Sequence, residues 1–181
     1  ARCGSLEQAR DLLFAAAEAA TPHDPDTAAV LLADVVEACF YLCDSASGLR
    51  AADRLADLTG PLASPTARLV GRMAEGFALV LGGRAGDGAD LIRTAMAQAP
   101  DARATQDQWR FRWALMGPMF LREAGEARAA MADAVRTVRS VAAVGMLPFL
   151  LTRIARDSAG SDGWADAEAG YVEAIRLAQE T

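Results

Sequence analysis

The stretch that decides the fold runs from residue 69 to residue 100 and reads LVGRMAEGFALVLGGRAGDGADLIRTAMAQAP. Its apolar residues recur at spacings of three and four, which is typical of amphipathic helices. The pair Gly82-Gly83 divides the stretch into two helices, and Pro100 ends the second one. Small residues stand on both helices, at Gly76 and Gly88, and allow the axes to approach to about 8–10 Å. The stretch therefore predicts an antiparallel helical hairpin.

This hairpin fits the degenerate tetratricopeptide pattern of about 34 residues, in which small and large apolar positions follow one another along two helices. Gly76 takes a small position on the first helix, and Gly88 and Ala95 take small positions on the second. A larger side chain at the crossing would separate the two helices. We expect the substitution Gly76→Leu to cost on the order of 2 kcal/mol or more by overpacking.

The signature of the second helix, small-x-x-x-large-x-x-small, recurs along the chain with anchors 36 to 43 residues apart. The anchors are Ala9, Ala52, Gly88, Ala130 and Ala167. We therefore predict an all-α chain with one tetratricopeptide-like domain over residues 1–181. It would be a right-handed superhelix of antiparallel helical hairpins, an α-α solenoid with about nine helices. The predicted repeat-packing residues are Gly76, Gly88, Ala95, Ala130, Ala167 and Tyr171.

Charge and composition exclude several classes of protein. The net charge is −6, so we expect no nucleic-acid surface, which needs clustered basic residues. The longest apolar run, Val30 to Cys43, is shorter than the roughly 18 residues of a membrane span and contains Asp34 and Glu37.

The chain begins without Met and without a signal-peptide pattern, so we interpret it as cytoplasmic and as part of a longer protein. Its basic residues are all arginines, which suggests a high-GC bacterial genome.

Residues that commonly carry catalysis are scarce. The chain has no lysine and therefore no phosphate-binding loop of the Gly-x-x-x-x-Gly-Lys type. Its single histidine, His23, has no supporting nucleophile pattern. Cys39 and Cys43 are spaced i, i+4, but a zinc site needs two further ligands, which favours apolar core residues. We predict no catalytic residue, no cofactor in this segment and no metal ligand, and we do not expect an enzyme.

Two groups of arginines are candidates for a ligand or partner surface. Arg110 and Arg112 lie beside the aromatic stripe of Trp109 and Trp113, where stacking and cation attraction could hold a nucleotide or an acidic peptide. Adjacent residues on a helix point in different directions, which favours two exposed arginines beside a buried stripe. The second group consists of Arg136, Arg139 and Arg153, and it has two interpretations, an anionic-ligand patch or a solvated face. The candidate residues are Arg110, Arg112, Arg136, Arg139 and Arg153.

Several stretches carry a resemblance to a known family. They are GSLEQARDLL at 4–13, LRAADRLA at 49–56, LVGRMAEG at 69–76, GWADAEA at 163–169 and EAIRLAQET at 173–181. Together they resemble the helical-repeat region of large LuxR-type transcriptional regulators with an ATP-binding module. In that family the repeats lie between an N-terminal nucleotide-hydrolysing module and a C-terminal helix-turn-helix. The resemblance implies a sensor and assembly region, and it carries over packing positions but no catalytic or DNA-contacting residue.

Two functional hypotheses follow. The first is a non-catalytic regulatory or sensor segment of such a regulator. It would bind a small-molecule effector or a protein partner and pass the signal to flanking ATP-binding and DNA-binding domains, without contacting nucleic acid or membrane itself. The alternative is a stand-alone tetratricopeptide-like scaffold that binds proteins or peptides. The terminal repeats have no obvious polar capping helix, and their apolar flanks would normally meet neighbouring repeats. A homodimer is therefore possible, but in the isolated segment it could be an artefact of these exposed flanks.

Overall fold

The structure is a computed structural model that describes residues 5–98, 108–121, 129, 132–136, 138–139, 145 and 147–180. By its internal contacts the chain divides into two compact units, Ala1–Leu121 and Arg122–Thr181, and each is described by itself. Over the described residues the chain is helical, with turns and no strand. The prediction of an all-α chain is confirmed, whereas the prediction of one domain over residues 1–181 stays a prediction.

Six helices form the first unit. They are α1 (Leu6–Ala20), α2 (Pro25–Leu42), α3 (Ser45–Leu58), α4 (Pro65–Leu81), α5 (Ala85–Ala97) and α6 (Gln108–Phe120). In the second unit a helical segment with described residues between 129 and 139 (α7) precedes α8 (Leu147–Ala159) and α9 (Trp164–Glu180). The described residues thus fall on nine helices, in agreement with the prediction of about nine.

Side-chain caps define where the first four helices begin. In each case an oxygen of the N-cap residue accepts a hydrogen bond from the backbone N–H three residues later, which satisfies one of the free amides of the first turn. Two of these helices, α2 and α4, also have Pro at their first position, where no amide donor is lost. The four N-cap residues are Ser5, Asp24, Asp44 and Ser64.

Helices of the first unit pack in a regular order. Neighbours in sequence pack against each other from α1 to α5, and α5 also contacts α6. In addition α2 packs against α4, and α4 packs against α6. The even-numbered helices therefore lie side by side, and α3 and α5 each lie against the even-numbered helices before and after them. The largest fully buried side chains of this unit include Leu32, Leu55, Met73, Ile92 and Trp113.

The α4–α5 crossing is a backbone contact. A Cβ added at Gly76 would lie 2.8 Å from the carbonyl oxygen of Gly88 and 2.6 Å from Cγ1 of Ile92. A Cβ added at Gly88 would lie 2.5 Å from the carbonyl oxygen of Gly76. Real Cβ atoms do not approach so closely, so only glycine fits at these two positions without a shift of the backbone. The crossing fixes how α4 and α5 align along their lengths.

The second unit is built around the pair α8 and α9. On α8 the buried side chains include Leu150, Leu151 and Ala155. Gly170 of α9 lies over Ala155, since a Cβ added there would be 3.1 Å from the Ala155 Cβ. The buried positions of α9 are Ala167, Ala174 and Leu177. These positions lie on one side of α9, and the opposite side is exposed.

Candidate functional site

In the first unit α2 and α6 meet even though three helices separate them in sequence. The ring of Phe40, near the end of α2, lies 5.5 Å from the ring of Phe120 at the end of α6. Phe120 also stacks on Phe77 of α4, with centroids 3.9 Å apart and planes 10° apart. These contacts join the last turns of all three even-numbered helices.

A second contact between α2 and α6 is ionic. Arg112 of α6 pairs through Nη2 with Glu37, and its Nη1 lies 3.8 Å from Oδ1 of Asp34. We call these three residues the α2–α6 seam. Their side chains are only 15–23% exposed. Arg112 precedes Phe120 on α6, as Asp34 and Glu37 precede Phe40 on α2, so the two helices run in the same direction.

Burial dominates the electrostatics of the seam. It raises the pKa of Asp34 from 3.8 to about 6, although the positive charge of Arg112 acts in the opposite direction. In the described part of the chain Oδ1 of Asp34 and Nε1 of the fully buried Trp113 are buried without a hydrogen-bond partner. Buried polar groups of this kind destabilise a fold by about 1–3 kcal/mol each. The seam is therefore a polar contact whose hydrogen bonds are incompletely satisfied, beside the apolar contact of Phe40 with Phe120.

Other titratable groups of the first unit are less suited to chemistry. Burial raises the pKa of the Cys39 thiol to about 11, so this thiol is neutral at physiological pH and a poor nucleophile. Cys43 is exposed and ends α2 in the left-handed conformation, with φ 55°. Burial also raises the pKa of Glu75, whose carboxylate lies 3.2 Å from Arg72. Among the described residues no group of three or more His, Cys, Asp or Glu is placed to hold a metal ion.

The predicted surface arginines lie in different surroundings. Arg110 is on α6, and its side chain is outside the described residues, whereas Arg112 belongs to the seam. In the second unit Arg136 pairs with an aspartate of its own helix, Arg139 lies 2.9 Å from a glutamate of α9, and Arg153 lies 5.1 Å over a phenylalanine ring. Each described arginine thus has a contact within its own unit. A ligand surface formed by these arginines stays a prediction.

The structure places the predicted packing residues unequally. It brings Gly76 and Gly88 together at the α4–α5 crossing. Ala95 and Ala167 are buried, and Ala130 lies outside the described residues. Tyr171 is 38% exposed, because α8 covers a different side of α9. Sequence reasoning did not identify Asp34 and Glu37 as site residues. The available signal was the presence of two acids inside the longest apolar run, which places charge on a largely buried helix.

Tyr171 belongs to a larger exposed surface on α9. Trp164, Tyr171, Val172 and Ile175 are 66%, 38%, 61% and 59% exposed. Their spacing of seven, eight and eleven residues from Trp164 puts them on one face of the helix. We call these four residues the α9 stripe. Large apolar side chains that share an exposed face mark a candidate interaction surface.

Comparison with known proteins finds no matching family model, no matching curated protein and no matching solved structure. Within the described ranges no helix combines the length and the apolar character that crossing a bilayer requires. The features of this chain that point to a function are the seam, the α9 stripe and the order of helix packing.

Proposed function

We propose that this chain is a non-catalytic segment of tetratricopeptide-like repeats that binds an effector or a protein partner and responds by a change of its superhelical curvature. The order of helix packing carries the proposal. In the first unit α2, α4 and α6 lie side by side, and α3 and α5 each pack against two of them, which is how stacked helical hairpins bury their apolar faces. The glycine contact at the α4–α5 crossing gives one hairpin the close approach that such repeats need.

In this proposal the α2–α6 seam couples the hairpins. Arg112 connects α6 to α2, although α3, α4 and α5 lie between these two helices in sequence. The ion pair of the seam is largely buried, so its desolvation cost nearly offsets its electrostatic attraction. It is therefore sensitive to a ligand that brings a competing charge. An anionic effector would compete for Arg112, and a cationic one for Asp34 or Glu37. Either would change the separation of α2 and α6 and hence the curvature of the array.

We further propose that the segment serves as the sensor region of a LuxR-type ATP-binding transcriptional regulator. This part rests on the resemblance of the repeat stretches and carries with it the flanking ATP-binding and DNA-binding domains as partners. The chain itself would contact neither nucleic acid nor a cofactor. The alternative is a stand-alone scaffold, which the exposed α9 stripe favours because a protein-binding surface needs exposed apolar side chains.

The experiment that separates the two is to sequence the native gene on both sides of this segment. A lysine-containing phosphate-binding loop upstream and a helix-turn-helix downstream would support the regulator. A reading frame that lacks both would contradict the regulator and leave the scaffold. A reading frame with only one of them would contradict the domain order implied by the resemblance.

A further inference from the structure

We propose that the α9 stripe is a self-association surface, on which the α9 helices of two copies of this chain pack antiparallel about a two-fold axis at Val172. This surface belongs to the second unit, and its self-association is independent of the proposed sensor function.

An equivalent position inside the chain shows that such a surface is normally covered by a helix. In the repeat signature Ala167 corresponds to Gly88 of α5, so Tyr171 and Ile175 correspond to Ile92 and Met96. Ile92 is fully buried against Gly76 of α4. Met96 lies against α6, since its sulfur would clash with a Cβ added at Gly117. On α9 the same two positions are exposed in the described part of the chain.

The charge pattern of α9 indicates which partner fits. Glu168 lies inside the stripe, four residues after Trp164 and four before Val172, so that covering the stripe also covers the carboxylate. No ion pair involves Glu168 among the described residues of the second unit. A buried carboxylate without a cation is strongly unfavourable. The occupant of the stripe must therefore supply a positive charge opposite Glu168.

A second copy of α9 supplies that charge. Arg176 is the only arginine of α9, and it lies four residues after Val172, as Glu168 lies four residues before it. Both are therefore about 6 Å along the helix axis from Val172. An antiparallel pair centred on Val172 places Glu168 of each copy opposite Arg176 of the other. The arrangement makes two intermolecular ion pairs and covers both stripes at once.

Close approach is compatible with the rest of the face. In the same pairing Ala169 of one helix lies opposite Ile175 of the other, so a small residue faces a large one. In the single chain Arg176 pairs with Glu180 at 2.8 Å, but both side chains are more than half exposed. An exposed pair four residues apart on a helix is worth only about 0.3–0.5 kcal/mol, so it does not hold Arg176 away from a partner.

The size of the surface sets the expected affinity. A stable dimer usually buries about 800 Å² on each partner, and one pair of helices supplies less. We therefore expect a reversible dimer with a dissociation constant in the range of about 1–100 μM.

Sedimentation equilibrium of the 181-residue chain over a concentration series tests the proposal. The wild-type chain should dimerise. Glu168→Arg places arginines opposite each other twice, so it should raise the dissociation constant at least about tenfold, and Arg176→Glu should do the same. The double variant Glu168→Arg with Arg176→Glu restores opposite charges and should return the constant to within about threefold of wild type. Asp57→Arg, an equal charge change on an exposed position of α3, is the control and should leave dimerisation unchanged.

A further variant tests the apolar part of the surface. Ile175→Glu should abolish dimerisation while the helical circular dichroism spectrum stays the same, because Ile175 is exposed in the single chain. A wild-type chain that is monomeric throughout the series would overturn the proposal. So would a dimer that persists in Ile175→Glu, or a folded double charge reversal that does not regain dimerisation.

Discussion

Two helix contacts of the first unit, the α4–α5 crossing and the α2–α6 seam, are made in opposite ways. At the crossing two backbones come together because Gly76 and Gly88 have no side chain of their own. At the seam three charged side chains join helices that are far apart in sequence. Two backbones in direct contact pack well in only one geometry, and any atom added between them disrupts that contact. The net stability of a largely buried ion pair is the small difference between its electrostatic attraction and its desolvation cost, so a small perturbation changes it. The first contact thus suits a fixed element of the fold, and the second suits a responsive one.

The substitution Gly76→Leu should have the largest effect, because it tests the fixed contact. A Leu side chain at position 76 has no space between Gly88 and Ile92. The carbonyl oxygen of Gly88 belongs to the backbone and cannot move aside to make room for it. We expect the free energy of unfolding to fall by about 2 kcal/mol or more, measured by urea denaturation.

Gly86→Ala is the matched control for the crossing. Gly86 lies on α5 two residues from Gly88, and a Cβ added there meets nothing within 4 Å. Alanine is the better helix former, so this variant should gain about 0.5–1 kcal/mol. Equal losses in Gly76→Leu and Gly86→Ala would mean that α4 and α5 do not cross at Gly76.

The crossing could be predicted from the sequence because its determinants are local. Gly76 and Gly88 stand on consecutive helices separated by a Gly-Gly turn, so spacing and residue size are enough to bring them together. The N-caps at Ser5 and Ser64 have equally local determinants, since a cap involves only residues three apart.

The seam could not be predicted because its determinants are not local. Asp34 and Arg112 are 78 positions apart, and only the packing order of the even-numbered helices brings them together. The sequence around Arg112 favours a solvated side chain, because the neighbouring residues on α6 give no indication that α2 lies beside this helix. Tyr171 shows the converse, since the repeat signature indicates a packing position but not whether a helix covers it.

The substitution Arg112→Met tests the seam and should have the second largest effect. Methionine keeps most of the apolar stem but removes the cation from the two largely buried carboxylates of α2. Breaking a buried pair costs about 3–5 kcal/mol, and the remaining exposure of this seam reduces the expected loss to about 2 kcal/mol at neutral pH.

The exposed pair of Arg54 with Glu18 provides the control for Arg112→Met. Its Nη2 to Oε2 distance is 2.7 Å, but both side chains are about half exposed. Arg54→Met should therefore change the free energy of unfolding by less than about 0.5 kcal/mol in the same denaturation experiment. If both methionine variants lost the same stability, the seam would be no more than a surface ion pair.

The pH dependence of Asp34→Asn should be the smallest effect and the most specific one. The pKa of Asp34 in the folded chain is raised from 3.8 to about 6, so between these values the folded state binds more protons than the unfolded state. The stability that this group contributes is therefore complete below about pH 4 and is lost as the pH rises through about 6. Asparagine resembles the protonated form at every pH. The stability of Asp34→Asn relative to wild type should rise by more than about 1 kcal/mol between pH 4 and pH 7.

Asp44→Asn should show the opposite slope and so separates a local effect from a general one. Hydrogen bonds from Ser47 lower the pKa of Asp44, so its contribution is present above its ordinary pKa and is lost as the pH falls. Relative to wild type, Asp44→Asn should therefore become more stable towards acid, whereas Asp34→Asn becomes more stable towards neutral pH. Denaturation curves of the three proteins between about pH 2 and pH 7 provide the measurement, because the Asp44 effect develops below its ordinary pKa of 3.8 and the Asp34 effect above that value. Parallel slopes for the two variants would show that the Asp34 carboxyl is not buried between α2 and α6. The contrast between a fixed α4–α5 crossing and a responsive α2–α6 seam would then not hold.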